Sequence, residues 1–294
     1  MSHNRKEIPI NNEKQESPAV SQQVSDTAKY VASLKAAAQF GGWSGNRTSP
    51  LFKQKNPLIS ESDIQKYAQI PQSIKTSVAV RERFFNKQMD YYVKKENYKQ
   101  ILILGSGLDV RAFHKNRDNQ KDKAVSFYEN VKFYEVDCAA ILNPKENFFK
   151  ENHLNKNAEY IQANYTQDNF VEMLKDKGFD ITSPTLIIWE GNSMYIEKSK
   201  IEKLFQDLKA FSQFTIVFDH FTRDLIEGPR ENSIYALHKQ GLWVTGFNSE
   251  DIQKFAQVNG MNTTTIVEIN ELKQEYQVEE NPEPSHYLIS TMRK

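Results

Sequence analysis

The feature that most constrains the fold of this chain is a regular alternation of short apolar segments with longer helical ones beyond residue 100. The apolar segments are rich in β-branched and aromatic residues, which pack well in strands. They are ILIL (101–104), VKFYEV (131–136), EYIQA (159–163), TLIIWE (185–190) and FTIVFD (214–219). Strands that alternate with helices form βαβ units, so the sequence predicts an α/β fold around a parallel sheet.

The last third of the chain changes this pattern. We expect a helix near 231–238 and another at 250–259, which Gly260 ends. Two strand-like segments, MNTTTIVEI and HYLIST, follow the last of these helices. Closing strands in this position predict that one edge of the sheet ends in antiparallel pairing.

The first hundred residues read differently from the rest. Residues 1–25 are polar and predict a disordered tail, whereas 26–98 form a helical lead-in to a core at 99–294. We expect one helix from Asp26 to Phe40 and a second at about 74–98. The second helix should bury Val78, Phe84, Phe85, Met89 and Tyr92.

Composition excludes several classes of function. The chain has 38 Lys and Arg residues against 38 Asp and Glu, so it has no global basic field for nucleic acid. No apolar run approaches the ~18 residues of a membrane span. The single Cys138 can form no intramolecular disulfide, and no Cys/His cluster offers a metal site. We therefore expect a cytoplasmic protein with no metal, nucleic-acid or membrane partner.

The sharpest motif is ILILGSGLDVR at 101–111. An apolar strand that runs into Gly105-Ser106-Gly107 and then a helix places a tight turn where open α/β sheets bind ligands. Glycine suits this turn because a Cβ would hold a ligand away from the backbone. A dinucleotide fingerprint requires a third glycine at position 110, which is Val110 here. The turn therefore favours a ligand other than NAD or FAD.

Two acidic residues end the next predicted strand. Glu135 and Asp137 lie about 30 residues after the glycine turn, where an acid suits a ribose diol. A carboxylate accepts hydrogen bonds from both hydroxyls of such a diol. The alternative is that both acids simply face solvent.

A set of motifs resembles one known family. LGSGLDVR, EVDCAA, the strand ending in WEG that is followed by MYI, and the upstream arginine of AVRERFF stand in that family's order and approximate spacing. They are similar to the leucine carboxyl methyltransferase (PPM) family of S-adenosylmethionine-dependent O-methyltransferases. The resemblance covers most of the chain from about Asp26. It implies a class I methyltransferase fold, with a Rossmann-like, doubly wound, seven-stranded sheet and a helical N-terminal lid.

The resemblance also implies which residues bind the cofactor, S-adenosyl-L-methionine. Gly105 and Gly107 would let it lie against the backbone, and Asp137 would bind the ribose hydroxyls. Arg81 would bind the methionine carboxylate, which matches a guanidinium fork. The implied set is Lys29, Arg81, Gly105, Ser106, Gly107, Asp137, Asn164, Tyr165 and Glu190.

Several of these roles are specific to one part of the cofactor. Glu190 resembles the family acid that faces its amino acid end, and Lys29 resembles a lysine that reaches the same end. Asn164 stands where the family often has an acid for the adenine amino group, from which its carbonyl oxygen can accept. Tyr195 is a candidate for lining the acceptor pocket, and His220 is a candidate general base.

These observations predict methyl transfer by direct displacement to a carboxylate or hydroxyl oxygen of a small molecule or a peptide terminus. A carboxylate acceptor is already anionic near neutral pH and needs no base. Two alternatives remain at this point. One is an NAD(P)-dependent Rossmann oxidoreductase, and the other is a non-catalytic protein that binds S-adenosylmethionine. Asp109 lies in the first turn of the helix after the glycine turn, where the helix dipole favours an acid, so it is interpreted as local structure that can pair with Arg111.

Overall fold

The fold is built around a seven-stranded sheet. A computed structural model describes residues 28–33, 56–66, 70–118, 127–232, 236–278 and 286–294. Its strands are β1 (Gln100–Leu104), β2 (Lys132–Asp137), β3 (Glu159–Gln162), β4 (Thr185–Trp189), β5 (Phe214–Phe221), β6 (Asn262–Glu268) and β7 (Tyr287–Arg293). The order across the sheet is β3-β2-β1-β4-β5-β7-β6. The first five strands are parallel, and β7 pairs antiparallel with both β5 and β6. The predicted fold class and the predicted antiparallel edge are confirmed.

Helices cover both faces of this sheet. They are α1 (28–33), α2 (Glu61–Lys66), α3 (Gln72–Lys94), α4 (Arg111–Asp118), α5 (Ala139–Glu151), α6 (Phe170–Asp176), α7 (Lys198–Leu208), α8 (Arg223–Glu227), α9 (Ala236–Lys239), α10 (Ser249–Val258) and α11 (Ile269–Glu275). Because the central strands are buried on both sides, their sequences are almost continuously apolar.

Helix α3 joins the N-terminal part of the chain to the sheet. It begins after Pro71, which cannot donate a hydrogen bond, and ends before Asn97, whose φ is +58°. All five side chains predicted to be buried in this helix are buried. Four of them, Phe84, Phe85, Met89 and Tyr92, pack in one cluster with strand residues such as Ile103. The division into 1–25, 26–98 and 99–294, with a lid, stays a prediction.

Two hydrophobic clusters lie on opposite faces of the sheet. One contains the α3 and α11 side chains with alternate strand residues such as Ile188 and Val217. The other contains α6, α7 and α10 side chains with the intervening strand residues, including Trp189 and Phe218. This alternation sends successive side chains of β4 and β5 to different environments. It decides which residues at the ends of these strands meet α3.

Some sequence-based boundaries differ from the structure. Helix α11 was not predicted, because its seven residues between two strands give only two turns of pattern. The helix predicted at 231–238 is a 3₁₀ turn at Arg230–Asn232 and the short α9. The whole predicted tail at 1–25 and most of the predicted helix at 26–40 lie outside the described residues. Within the part of the chain that is described, no helix combines the length and apolar character that a membrane span needs.

Candidate cofactor-binding site

The sheet reverses its strand order between β1 and β4, which are adjacent. Open α/β sheets bind ligands at such a switch point, beyond the carboxyl ends of the strands. Strand β1 runs into the turn Gly105-Ser106-Gly107, and β4 runs into Glu190. The structure therefore brings the glycine turn and Glu190 to the same edge of the sheet.

Asn192 connects the ends of these two strands. Its Nδ2 donates to the backbone oxygens of Gly105 at 3.1 Å and Glu190 at 2.7 Å. A Cβ on Gly105 would lie 2.5 Å from the Asn192 Oδ1, and the φ of Gly105 is +59°. Glycine is required at 105 for this close side-chain approach as well as for the turn.

Asp137 lies beside the glycine turn at the end of β2. Its Oδ2 accepts a hydrogen bond from the Gly107 N–H at 2.7 Å, and its Oδ1 accepts one from the Cys138 N–H at 2.7 Å. Burial raises the pKa of Asp137, and the two backbone hydrogen bonds oppose that rise. The carboxylate is thus held at the turn, with further lone pairs available to a ligand.

Glu135 is not part of this edge. It is buried and forms an ion pair with Lys145 of α5. Burial raises the pKa of Glu135, and Lys145 opposes the rise. The alternative in which Glu135 and Asp137 both face solvent is wrong for Glu135, which is buried, whereas Asp137 is half-buried at the end of β2.

Glu190 lies between two arginines. Its Oε1 accepts from Arg81 Nε at 2.9 Å, and its Oε2 accepts from Arg111 Nη2. The Glu190 side chain is only 6% exposed, so these two ion pairs are shielded from solvent. Arg111 also pairs with Asp109 at 2.6 Å, which confirms the predicted local pair.

Arg81 is the central cation of the site. Its Nη1 donates to Asp219 Oδ2 at 3.1 Å and to the hydroxyl of Tyr287 at 2.6 Å, and that hydroxyl donates to Asp219. Asp219 Oδ1 accepts from the Gly191 N–H at 2.6 Å. Among the described residues, the buried Nη2 of Arg81 has no hydrogen-bond partner. This orphaned donor lies 3.5 Å from where a Cβ on Gly191 would be.

Helix α1 lies against the glycine turn. A Cβ on Gly107 would be 3.6 Å from the Cβ of Ala28, so the start of this helix lies close to the turn. Lys29, the next residue, is exposed, and its charge lowers the pKa of Asp63 as one of the weaker effects after hydrogen bonds from Ser60. No contact among the described residues brings Lys29 to Arg81.

Asn164 and Tyr165 follow β3 and are engaged within the protein. The Asn164 Oδ1 accepts from the N–H of Thr166 at 3.1 Å and from its hydroxyl at 2.7 Å. A backbone donor fixes this atom as the oxygen. The Tyr165 hydroxyl accepts from Trp189 Nε1 at 3.1 Å, and its ring is buried.

The two catalytic candidates lie in different places. Tyr195 follows Glu190 in a 3₁₀ turn at Ser193–Tyr195. Burial raises its pKa, the nearby Trp243 side chain and the charge of Arg81 oppose that rise, and the nearby carboxylate of Asp219 adds to it. Tyr195 is thus a neighbour of the charged cluster.

His220 lies away from that cluster. It is fully buried, with Nε2 2.8 Å from the hydroxyl of Ser290 and its ring against Phe247. Since Asp219 and His220 are consecutive in β5, they face opposite sides of the sheet. Burial lowers the pKa of His220 to about 4. This geometry gives the general-base role predicted for His220 no support.

Three residues of the cluster were not found from the sequence. Asn192 carries a weak signal, because it follows directly on the Glu190-Gly191 motif. Arg111 was seen only as a partner of Asp109, not of Glu190. Tyr287 gave no signal, because it lies 68 residues from Asp219 and the antiparallel return of β7 alone brings it there.

The sequence profile of the leucine carboxyl methyltransferase family matches residues 21–209, which is more than half of the chain. This chain belongs to that family. The matched region contains Arg81, the glycine turn, Asp137 and Glu190. Asp219 and Tyr287 lie beyond it.

Two curated relatives agree with this membership. Proteins from Mycolicibacterium paratuberculosis and Parafrankia sp., both named "putative S-adenosyl-L-methionine-dependent methyltransferase", are 28% and 27% identical over 46% and 53% of this chain. The matches cover 42% and 47% of those proteins, so the chain aligns with about half the length of the curated relatives it matches.

The fold agrees with two crystal structures. A "putative methyltransferase" from Thermobifida fusca has a TM-score of 0.55 at 13% identity, over 90% of this chain and 94% of that one. A DUF574 family protein from Streptomyces avermitilis has a TM-score of 0.58 at 11% identity, over 80% and 92%. At this identity the likeness concerns the fold alone.

Proposed function

We propose that this protein is an S-adenosyl-L-methionine-dependent O-methyltransferase. Its acceptor would be a carboxylate or hydroxyl oxygen of a small molecule or a peptide terminus. Membership of the leucine carboxyl methyltransferase family supports the reaction class. The single observation that carries the proposal is the buried Nη2 of Arg81, a donor that has no partner among the described residues and lies beside Gly191.

The residues present fit the proposed methyl donor. A buried guanidinium with a free N–H suits the planar methionine carboxylate, because such charge-assisted hydrogen bonds are strong. Glu190, next to Arg81, would accept from the donor's ammonium group. Asp137 would accept from the ribose hydroxyls while Gly107 holds it in place. When bound, the donor supplies a methyl group on a sulfonium, which an acceptor oxygen can displace directly.

The adenine contact needs a different form from the one implied by the resemblance. Since Asn164 Oδ1 already accepts two hydrogen bonds from Thr166, it has no lone pair left for the adenine amino group. We propose that the Asn164 amide nitrogen donates to a ring nitrogen of adenine instead. Ser106 would contribute its backbone at the glycine turn, and Tyr165 would contribute packing surface after β3. We also propose that Lys29 belongs to the lid and reaches the amino acid end of the cofactor.

The protein's part in the reaction is positioning and desolvation. Such effects lower a barrier by several kcal/mol without a catalytic acid or base. Tyr195 lies next to Arg81 and Asp219 and would line the acceptor side of the site. A carboxylate acceptor would attack as the anion that it already is near neutral pH. The single Cys138 suits a reducing compartment, so we place this reaction in the cytoplasm.

Calorimetric titration tests the proposal and separates it from both alternatives. We expect S-adenosylmethionine and S-adenosylhomocysteine to bind and NADH not to bind. Release of S-adenosylhomocysteine over a panel of carboxylate and phenol acceptors then distinguishes an enzyme from a binding protein. Binding of NADH alone would favour the oxidoreductase, and binding of neither nucleotide would refute the proposal.

A further inference from the structure

Arg111 is a buried cation in an unfavourable place. It is the first residue of α4, where the helix dipole disfavours positive charge. Its side chain is 4% exposed, so solvent does not offset this cost. The proposed function assigns Arg111 no contact with the cofactor, and the prediction of a local pair with Asp109 explains only one of its bonds.

Four groups orient Arg111. Its Nε donates to Asn86 Oδ1 at 3.0 Å, and its Nη1 donates to Asp109 Oδ2 at 2.6 Å. The other oxygen of Asp109 accepts from the Arg111 backbone N–H at 2.7 Å. The guanidinium carbon lies 6.0 Å from the centre of the Phe85 ring. Nη2 is thereby directed at one target, which is Glu190 Oε2.

Glu190 depends on this second arginine. Arg81 alone faces two carboxylates, Glu190 and Asp219, and also holds the hydroxyl of Tyr287. Without Arg111, Glu190 Oε2 would lose this guanidinium, and Arg81 would still be divided between Glu190 and Asp219. A buried carboxylate with insufficient positive charge nearby takes up a proton, and a protonated Glu190 would bind a cationic ammonium less well.

We propose that Arg111 is a positioning residue that holds the Glu190 carboxylate ionised and directed at the amino-acid end of the methyl donor. This inference rests on the proposed function. Arg111 acts through Glu190 and leaves Nη2 of Arg81 available for the donor's carboxylate. Among the described residues, the charged and titratable groups around the pair include Arg81 and Glu82 from α3, Asp109 before α4, Tyr195 after β4, Asp219 from β5 and Tyr287 from β7.

The test is the pH dependence of S-adenosylhomocysteine binding, measured by calorimetry on the full chain. Wild-type affinity should be nearly flat from about pH 8 to about pH 6, because Glu190 stays ionised. In Arg111→Met, affinity should be roughly tenfold lower than in wild type at about pH 8. It should fall by up to about another tenfold per pH unit as the pH is lowered to about 6, because Glu190 gains a proton. Arg83→Met is the control, because Arg83 of α3 is a half-buried arginine that packs on Tyr276 instead of Glu190.

A double variant separates positioning from general structure. In Glu190→Gln the titrating group is gone, so Arg111→Met added to it should cost little more affinity and should show no pH dependence. Full additivity of the two losses, or an Arg111→Met loss that is equal at both pH values, would overturn the inference. Wild-type affinity in Arg111→Met would also overturn it.

Thermal unfolding shows whether each variant is folded. If Arg111→Met does not fold, Arg111→Lys keeps the charge but loses the fork, and we expect a flat profile with affinity lowered about threefold or more. Wild-type affinity in Arg111→Lys would then refute the need for the fork. If wild-type protein itself binds no S-adenosylhomocysteine, the proposed function fails, which is a distinct outcome.

Discussion

At the scale of single residues, the candidate site consists of a small cluster of buried charged side chains. The chain is neutral overall, yet its described part gathers two arginines and three carboxylates at the ends of β1, β4 and β5. Each carboxylate has at least one arginine partner, and Arg81 retains one unbonded N–H among the described residues. That one donor is the reason we propose that this cluster binds a ligand.

Arg81 gives the first prediction at this scale. Arg81→Lys keeps a positive charge near Glu190 and Asp219 but loses the fork that matches a carboxylate. We expect S-adenosylhomocysteine affinity to fall by roughly 10- to 100-fold, as a lost charge-assisted pair implies. Calorimetric titration measures this loss. Lys87→Ala, on the same helix but paired with exposed Glu275, is the control and should bind normally.

His220 gives the second prediction at the scale of single residues. Its pKa is lowered to about 4 by burial, from an ordinary value of 6.5. Between about pH 6.5 and pH 4, His220 is therefore protonated in the unfolded chain but neutral in the folded one. The free energy of unfolding should thus fall as the pH drops from 6.5 toward 4, by up to about 3 kcal/mol. Denaturant unfolding at several pH values should show this loss, and His220→Gln should reduce it.

The matched control for this residue is His153→Gln, because His153 is exposed. It should leave the pH dependence of the unfolding free energy unchanged. An identical pH dependence in wild type and His220→Gln would contradict the prediction. We also expect His220→Gln to leave S-adenosylhomocysteine binding intact, since the residue lies on the other side of the sheet from Asp219.

At the scale of elements, the site depends on how two adjacent strands end. Strands β1 and β4 stop at nearly the same level, because their registers pair Ile103 with Ile188. Asn192 then bonds to the carbonyl groups that follow each strand. These bonds satisfy backbone acceptors that regular pairing leaves open. The motif Glu190-Gly191-Asn192 therefore connects the ends of β1 and β4 and also supplies the carboxylate of Glu190 to the site.

The contact between Asn192 and the glycine turn can be tested at Gly105. Gly105→Ala would introduce a Cβ 2.5 Å from Asn192 Oδ1 at a φ of +59°. The left-handed conformation alone costs about 1–2 kcal/mol, and the clash adds to it. Urea unfolding should thus show a loss above that range. In an Asn192→Ala background the clash disappears, so Gly105→Ala should cost only the conformational part, and equal costs in both backgrounds would contradict this interpretation.

At the scale of the whole molecule, the last strand contributes a residue to the charged cluster that α3 forms with the sheet. Tyr287 opens β7, near the end of the chain, and its hydroxyl bridges Arg81 of α3 and Asp219 of β5. The three residues are buried together, although 206 positions separate Arg81 from Tyr287. The antiparallel β7 is what lets the chain's end reach the cluster.

Tyr287→Phe tests this long-range contact. Removing the hydroxyl leaves Asp219 with one hydrogen bond fewer in a buried place, so the free energy of unfolding should fall by about 1–3 kcal/mol. Tyr276→Phe is the control, because the Tyr276 hydroxyl has no partner among the described residues, and it should change stability little. Equal effects of the two substitutions in chemical denaturation would contradict the role of the bridge.

Much of the fold and part of the site were predictable from local pattern. The apolar segments marked the strands because parallel strands are buried on both faces, and the glycine turn marked the ligand edge because a backbone turn of this kind needs small residues. Arg81, Asp137 and Glu190 were found because they stand in or beside short motifs. Their roles toward a cofactor stay predictions.

What the sequence by itself determined is the α/β class, the parallel sheet with its antiparallel edge, and the short motifs that carry the family resemblance. Only the tertiary structure decided which charges meet. Strand alternation sends Asp219 toward Arg81 and His220 away from it, and sheet order alone brings Tyr287 and Arg111 to their partners. The physical reason is that periodicity is a local property of the chain, whereas the pairing of buried charges depends on contacts between residues far apart in sequence.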